Sequence, residues 1–156
     1  MTKILMVCMG NICRSPTAYV VALQMARQST HSAPLTFDSA GTHVGRGGQP
    51  MDARSRSVLE KHHYVPVTTR SRQVNLDDFE TCDLILAMDT DNLAALQQQC
   101  PAQWHDKLRL LLSFAPDVGT LDIPDPYYGD MAGFERVLDL CKAGVKGVCI
   151  SGCFMG

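Results

Sequence analysis

Four short strand-like segments, each followed by a segment of helical period, constrain most what this chain can fold into. Residues 4–7 form the first, an apolar run which ends at Cys8, and Met9-Gly10-Asn11 marks a loop. Ser15-Pro16 then reads as a helix start, with Ser at the cap and Pro at the first helical position. Ala18, Val21, Ala22 and Met25 follow on one helical face. Residues 35–40 predict a second strand that stops at Gly41, and residues 42–50, rich in glycine and polar side chains, predict a loop. The next helix is expected over 52–61, with Ala53, Val58 and Leu59 partly buried. Residues 84–88 read as a buried strand, and Asp89 or Thr90 caps a helix that ends near Cys100, before Pro101. Residues 108–114 are the fourth expected strand. Residues 121–130 hold two prolines and a glycine and read as a loop. Phe134, Val137, Leu138, Cys141, Val145 and Val148 share one face of a final helix. This alternation predicts an α/β fold: a four-stranded parallel sheet with helices on both faces. Ligands in such sheets bind beyond the carboxyl ends of the strands, and Cys8 falls at that end of the first.

A length of 156 residues fits a single domain spanning 1–156. With 46% hydrophobic and 19% charged residues the chain reads as globular. A net charge of -2 predicts no general affinity for nucleic acid or for an anionic membrane. The apolar run at 4–7 is too short for a signal-peptide core or a membrane span, so a cytoplasmic location is expected. The seven cysteines are scattered without paired spacing, which favours thiols in a reducing compartment over zinc ligands. Cys153 stands at the prenylation position, but the terminal Gly156 and the lack of a basic run argue against lipidation. His62 and His63 end a helix without an acidic or thiol partner at ligand spacing. They read as complements to the helix-end charge. No metal and no cofactor are expected.

The segment Cys8-Met9-Gly10-Asn11-Ile12-Cys13-Arg14-Ser15-Pro16 carries the chemistry. Cys-x5-Arg alone says little, since chance supplies about 0.4 matches in a chain of this composition. The context is what specifies it: a strand before, Gly and Asn where the backbone must turn, Ser after the Arg, and a helix start. A loop of this length can curl so that successive N–H groups, from Met9 through Ser15, point inward and bind an anion with three equatorial oxygens. The following helix adds its positive end. Arg14 offers two parallel donors to two phosphate oxygens, which Lys could not do. Cys8 sits in the same field and is expected as a thiolate near neutral pH.

A thiolate and an arginine can bind and attack phosphate, but the leaving oxygen needs a proton from elsewhere. Asp125, held between Pro124 and Pro126 on the expected loop beyond the last strand, is the candidate acid. Tyr127 and Tyr128 are placed to wall a pocket and stack on an aromatic ring.

Cys8 to Pro16 together with Asp125-Pro126-Tyr127-Tyr128 resembles the low-molecular-weight protein tyrosine phosphatases, and the likeness extends over essentially the whole chain. It includes Asp38-Ser39-Ala40-Gly41, Asp52-Ala53-Arg54, Arg72-Gln73-Val74, Asp78-Phe79 and Ala87-Met88-Asp89. The resemblance implies that Cys8 forms a phosphocysteine, that Arg14 and the loop amides hold the equatorial oxygens, and that Asp125 first protonates the leaving phenolate and then activates water. It implies that Ser15 donates to the Cys8 sulfur, that Asn11 braces the loop through Ser15 and Ser39, and that Met9, Tyr127 and Tyr128 line the pocket. It makes Cys13 the thiol that traps oxidised Cys8 as a disulfide. A phosphotyrosine protein, such as a tyrosine kinase, is the expected partner, and a monomer the expected state. Two departures stand out. Thr42 occupies the place of the family's usual aromatic residue, leaving His43 as the expected second wall. Thr69 is expected where many members place a His in the Asn11–Ser39 network.

Three other readings use the same loop. An arsenate reductase would need two further redox cysteines on a mobile segment, and Cys82 has no second cysteine near it in sequence. A phosphocysteine carrier would lack a water-activating acid. A non-catalytic phosphate-binding module would not need Cys8 and Asp125 together.

Overall fold

In the computed structural model, which describes residues 2–28 and 34–151, β1 (Thr2–Cys8) lies inside a four-stranded parallel sheet. It pairs on one side with β2 (Leu35–Gly41) in a register from Thr2 against Leu35 to Cys8 against Gly41. On its other side it pairs with β3 (Leu84–Ala87), which pairs with β4 (Leu108–Leu110). The order is β2-β1-β3-β4. The chain therefore leaves β1 toward one edge first and toward the other later, and a crevice opens at the carboxyl end of β1 where the direction reverses.

The apolar strands are buried on both faces, as a parallel sheet requires. Ile4 and Met6 pack on one side with α1 (Arg14–Gln28), α2 (Ala53–Lys61) and α5 (Met131–Ser151). Leu5 and Val7 pack on the other with Phe79 of α3 (Leu76–Thr81) and Leu96 of α4 (Thr90–Gln99). Side-chain caps start α2 and α4. Asp52 accepts from the Arg54 N–H, and Asp89 from the Asn92 N–H. Cys153 and its neighbours lie outside the described residues.

The structure departs from the sequence expectations at three elements. Helix α1 starts at Arg14, which places Ser15 and Pro16 inside its first turn, where a missing N–H costs no helical bond. The fourth strand ends at Leu110, and residues 111–114 form a 3-10 turn. That turn is pressed under α5: a side chain at Gly147 would meet the Phe114 carbonyl oxygen at 1.9 Å, and one at Gly144 would meet Leu111 at 2.5 Å. A continuous apolar run reads alike for a strand and for any other buried segment. Helix α3 was hidden in a polar stretch. Its signal is a reciprocal cap, in which Asn75 accepts from the Asp78 N–H and the Asp78 carboxylate from the Asn75 N–H. The Lys61–His62 end of α2 is held by Glu135 of α5, with Nζ to Oε1 at 2.8 Å and Nε2 to Oε2 at 2.6 Å.

Candidate active site

The loop between Cys8 and Arg14 is an extension of the sheet's backbone pairing. Beyond the last strand pair, Thr42 N–H donates to the Cys8 carbonyl and His43 N–H to the Met9 carbonyl, both at 2.9 Å. Gly41 sits where these segments touch. A Cβ there would come within 2.6 Å of the Met9 carbonyl oxygen and of the Val44 side chain, so only glycine fits. Asn11 has φ 59°, the left-handed value that turns the chain inward, and its N–H donates to the Cys8 sulfur at 3.3 Å. The same residue braces the loop. Its amide donates to Ser15 Oγ at 2.9 Å and Ser39 Oγ at 3.1 Å, and its carbonyl oxygen accepts the Arg72 N–H at 3.0 Å. Ser15 Oγ lies 3.1 Å from the Cys8 sulfur.

Arg14 is 3% exposed, at the base of the cavity. Its Nη1 donates to Asp89 Oδ2 and, at 2.9 Å, to the Ile123 carbonyl. Its Nη2 lies 3.8 Å from Asp125 Oδ2. Burial pulls the guanidinium pKa down, but the hydrogen bond to Asp89 and the charges of Cys8, Asp89 and Asp125 raise it further, so the group stays protonated. Asp89 thus does two jobs: one oxygen caps α4 while the other orients Arg14. The segment carrying Asp125 is tied to the sheet through the Ile123 N–H on the Met88 carbonyl (2.9 Å) and Asp122 Oδ1 on the Thr90 N–H (2.7 Å).

One cavity of about 210 Å³ gathers Cys8, Met9, Gly10, Ile12, Cys13, Arg14, Asp125, Tyr127 and Tyr128. The two ends of the chain that the sequence singled out therefore meet. Asn11 and Ser15 stand behind this lining, and Ser39 supports Asn11. His43 is not part of it: its ring nitrogen Nδ1 lies 3.0 Å from Thr42 Oγ1, and the expected second wall is not His43. Thr42 is buried and its carbonyl accepts from Gln73 and Gln99, which leaves no wall-forming side chain at that point. Thr69 is also not the residue in the Asn11–Ser39 network. The backbone of Arg72 takes that place, and Thr69 lines a separate cavity of about 170 Å³ with Arg56 and Arg70.

Three residues that support the site carry no site role in the sequence alone: Asp89, which reads only as a helix cap, Arg72 and Arg54. Arg72 makes a two-pronged pair with Asp78, at 2.9 Å for each prong, and reaches Asp38 at 3.0 Å. The Asp78 hydrogen bond raises its pKa, and a permanently charged Arg72 fixes the backbone that holds Asn11. All three lie in motifs that carry the family resemblance, but only folding shows which group each one serves. Cys13 is buried, and burial first, then the Asp52 charge, pushes its thiol up to about 12.

Comparison with known proteins covers nearly the whole chain. A family model described as low molecular weight phosphotyrosine protein phosphatase matches residues 3–150. The human low molecular weight phosphotyrosine protein phosphatase is 39% identical over 145 residues, covering 89% of this chain and 88% of its own. A low molecular weight protein-tyrosine-phosphatase of Streptomyces coelicolor is 38% identical over 149 residues, covering 94% of this chain and 90% of its own. The crystal structure of a protein tyrosine phosphatase from Entamoeba histolytica, with Hepes in its active site, superposes with a TM-score of 0.92. It is 37% identical and covers 97% of this chain and 96% of that one. The chain belongs to the low molecular weight phosphotyrosine protein phosphatase family.

Proposed function

We propose that this phosphatase acts on phosphotyrosine proteins with Cys8 as nucleophile, Arg14 as phosphate clamp and Asp125 as general acid and base. The observation that carries the assignment is the placement of the Cys8 sulfur under the Asn11 N–H and Ser15 hydroxyl, with Asp125 3.8 Å from Arg14 across the cavity. The Cys8 thiolate attacks phosphorus in line, the bond from phosphorus to the phenolic oxygen breaks, and Asp125 delivers its proton to that oxygen. Arg14 and the inward N–H groups from Met9 to Ser15 hold the three equatorial oxygens as charge builds. Asp125, now a carboxylate, takes a proton from water as that water attacks the phosphocysteine. Inorganic phosphate leaves and the Cys8 thiolate returns.

Met9, Tyr127 and Tyr128 surround the aromatic ring in this reading, and Cys13 takes the redox role. Peroxide converts the Cys8 thiolate to a sulfenic acid; the Cys13 thiolate then attacks its sulfur, hydroxide departs, and a disulfide forms. Tyrosine kinases are candidate substrates. A monomer at work in the cytoplasm completes the proposal. Among the described residues no helix is long and apolar enough to cross a membrane. Cys82 and Cys100 pack with Leu5 and Val7, on the face of the sheet opposite the Cys8 cluster, which disfavours an arsenate-reducing relay.

The test is turnover of a phosphotyrosine peptide with Cys8→Ser, alongside acid-quench detection of phosphoenzyme. Both signals should vanish. A Cys8→Ser protein that still releases phosphate at the wild-type rate removes Cys8 from the mechanism. Phosphoproteins retained by Asp125→Ala from cell extract then identify the substrate.

A further inference from the structure

Arg54 occupies a position that the chemistry above does not use. Its guanidinium lies 4.5 Å from the ring centre of Phe134 and 5.4 Å from that of Tyr127, between the two. Phe134 is core, and Tyr127 in turn meets Tyr128 edge-on, with ring centres 4.9 Å apart at 84°. Phe134, Arg54, Tyr127 and Tyr128 thus form a column that runs from the interior to the pocket mouth. The column is fixed sideways as well. Asp52 takes the Arg54 fork through Nε at 3.1 Å and Nη2 at 2.9 Å, and also caps its backbone at 2.8 Å. The Asp52 N–H donates to the Ile12 carbonyl, inside the phosphate loop, at 2.8 Å. The Tyr127 ring is therefore located relative to the phosphate cradle by one continuous path: Ile12, Asp52, Arg54, Tyr127.

We propose that Arg54 is a positioning residue for substrate selection, which sets the distance between the aromatic wall and the phosphate cradle and thereby favours aryl over ring-free phosphates. The inference rests on Tyr127 being a pocket wall. Lys could keep a charge over the ring but could not hold the Asp52 fork at the same time. Tyr127 is exposed and its N–H donates to the Asp125 carboxylate, so among the described residues its ring is backed by Arg54 and edged by Tyr128. The benefit falls on substrates that bring a ring to that wall. A small acyl phosphate needs only the cradle and the Asp125 side.

The experiment measures kcat and KM for p-nitrophenyl phosphate and for acetyl phosphate, which carries no ring. Arg54→Ala should raise KM for the aryl ester about fivefold, the scale of a part-exposed cation–ring contact, and leave KM for acetyl phosphate within about twofold. Arg54→Lys should fall between. In a Tyr127→Ala background, Arg54→Ala should add nothing further, because both act through one ring. Equal KM rises on both substrates, or a full extra rise in the Tyr127→Ala background, would overturn the inference. An aryl KM unchanged by Tyr127→Ala removes the wall itself. A defective Tyr127→Ala beside an unaffected Arg54→Ala removes only the role of Arg54. If Arg54→Ala does not yield folded protein, Arg54→Lys and Arg54→Gln support the same comparison.

Discussion

The two halves of the site are built in different ways. The phosphate half is buried and over-determined: Asn11, Arg14 and Ser15 are all within 3% exposure, and each makes several hydrogen bonds to different elements. The half proposed to meet the leaving group is open. The Asp125 side chain is 43% exposed and Tyr128 is 97% exposed. Preorganised donors cost little reorganisation when charge develops on phosphate, which is the same in every substrate. The rest of the substrate varies, so an exposed half can serve many partners. Rigidity is concentrated where the chemistry is constant.

The contrast can be broken in three ways. The largest effect is expected at Asp125. Asp125→Ala should slow turnover about 10²–10⁴-fold on a poor leaving group, the usual range for a lost general acid. Because the residue is exposed, its melting temperature should stay close to wild type. A rate on phenyl phosphate equal to wild type would take Asp125 out of the mechanism. Asn11→Ala tests the buried half and should behave in the opposite sense. It removes three hydrogen bonds and leaves alanine in a left-handed conformation, so urea unfolding should show a loss of about 2–4 kcal/mol, together with reduced turnover. Unchanged stability would mean that the loop is not braced through this side chain. The smallest effect concerns Cys13, and it shows only after peroxide. Wild type should regain activity with dithiothreitol more fully than Cys13→Ala. Disulfide closure needs the thiolate, and the folded Cys13 thiol stands at about 12. The thiolate fraction rises with pH below that value, so closure should accelerate as the solution is made more alkaline. Equal recovery by Cys13→Ala ends the protective role.

How much was readable in the sequence follows the same division. Cys8, Arg14 and Asp125 could be picked out because their neighbours, Gly-Asn, Ser-Pro and the two prolines, reveal local backbone shape. The parallel sheet followed from the alternation of periods. What escaped depends on contacts distant in sequence. Asp89 reads as a helix cap, and nothing local says that its second oxygen meets Arg14, 75 residues away. Arg72 serves Asn11 through its backbone N–H, which has no signature in residue type. His43 failed as a wall because its ring lies by Thr42 outside the cavity, a choice of direction that spacing alone does not record. Residues 111–114 turn where their apolar run suggests a strand, because apolar content reports burial, not strand geometry.

The glycine at the end of β2 has one more consequence. By allowing the rungs to the Cys8 and Met9 carbonyls, Gly41 makes the loop after β1 an overhang of the sheet, stitched to a neighbouring strand like the hem of a cloth. An anion that arrives there finds its seat already shaped, and no folding of loose chain is subtracted from its affinity. Selection for a better phosphate grip would then act on the register of two strands as much as on the residues that touch the phosphate.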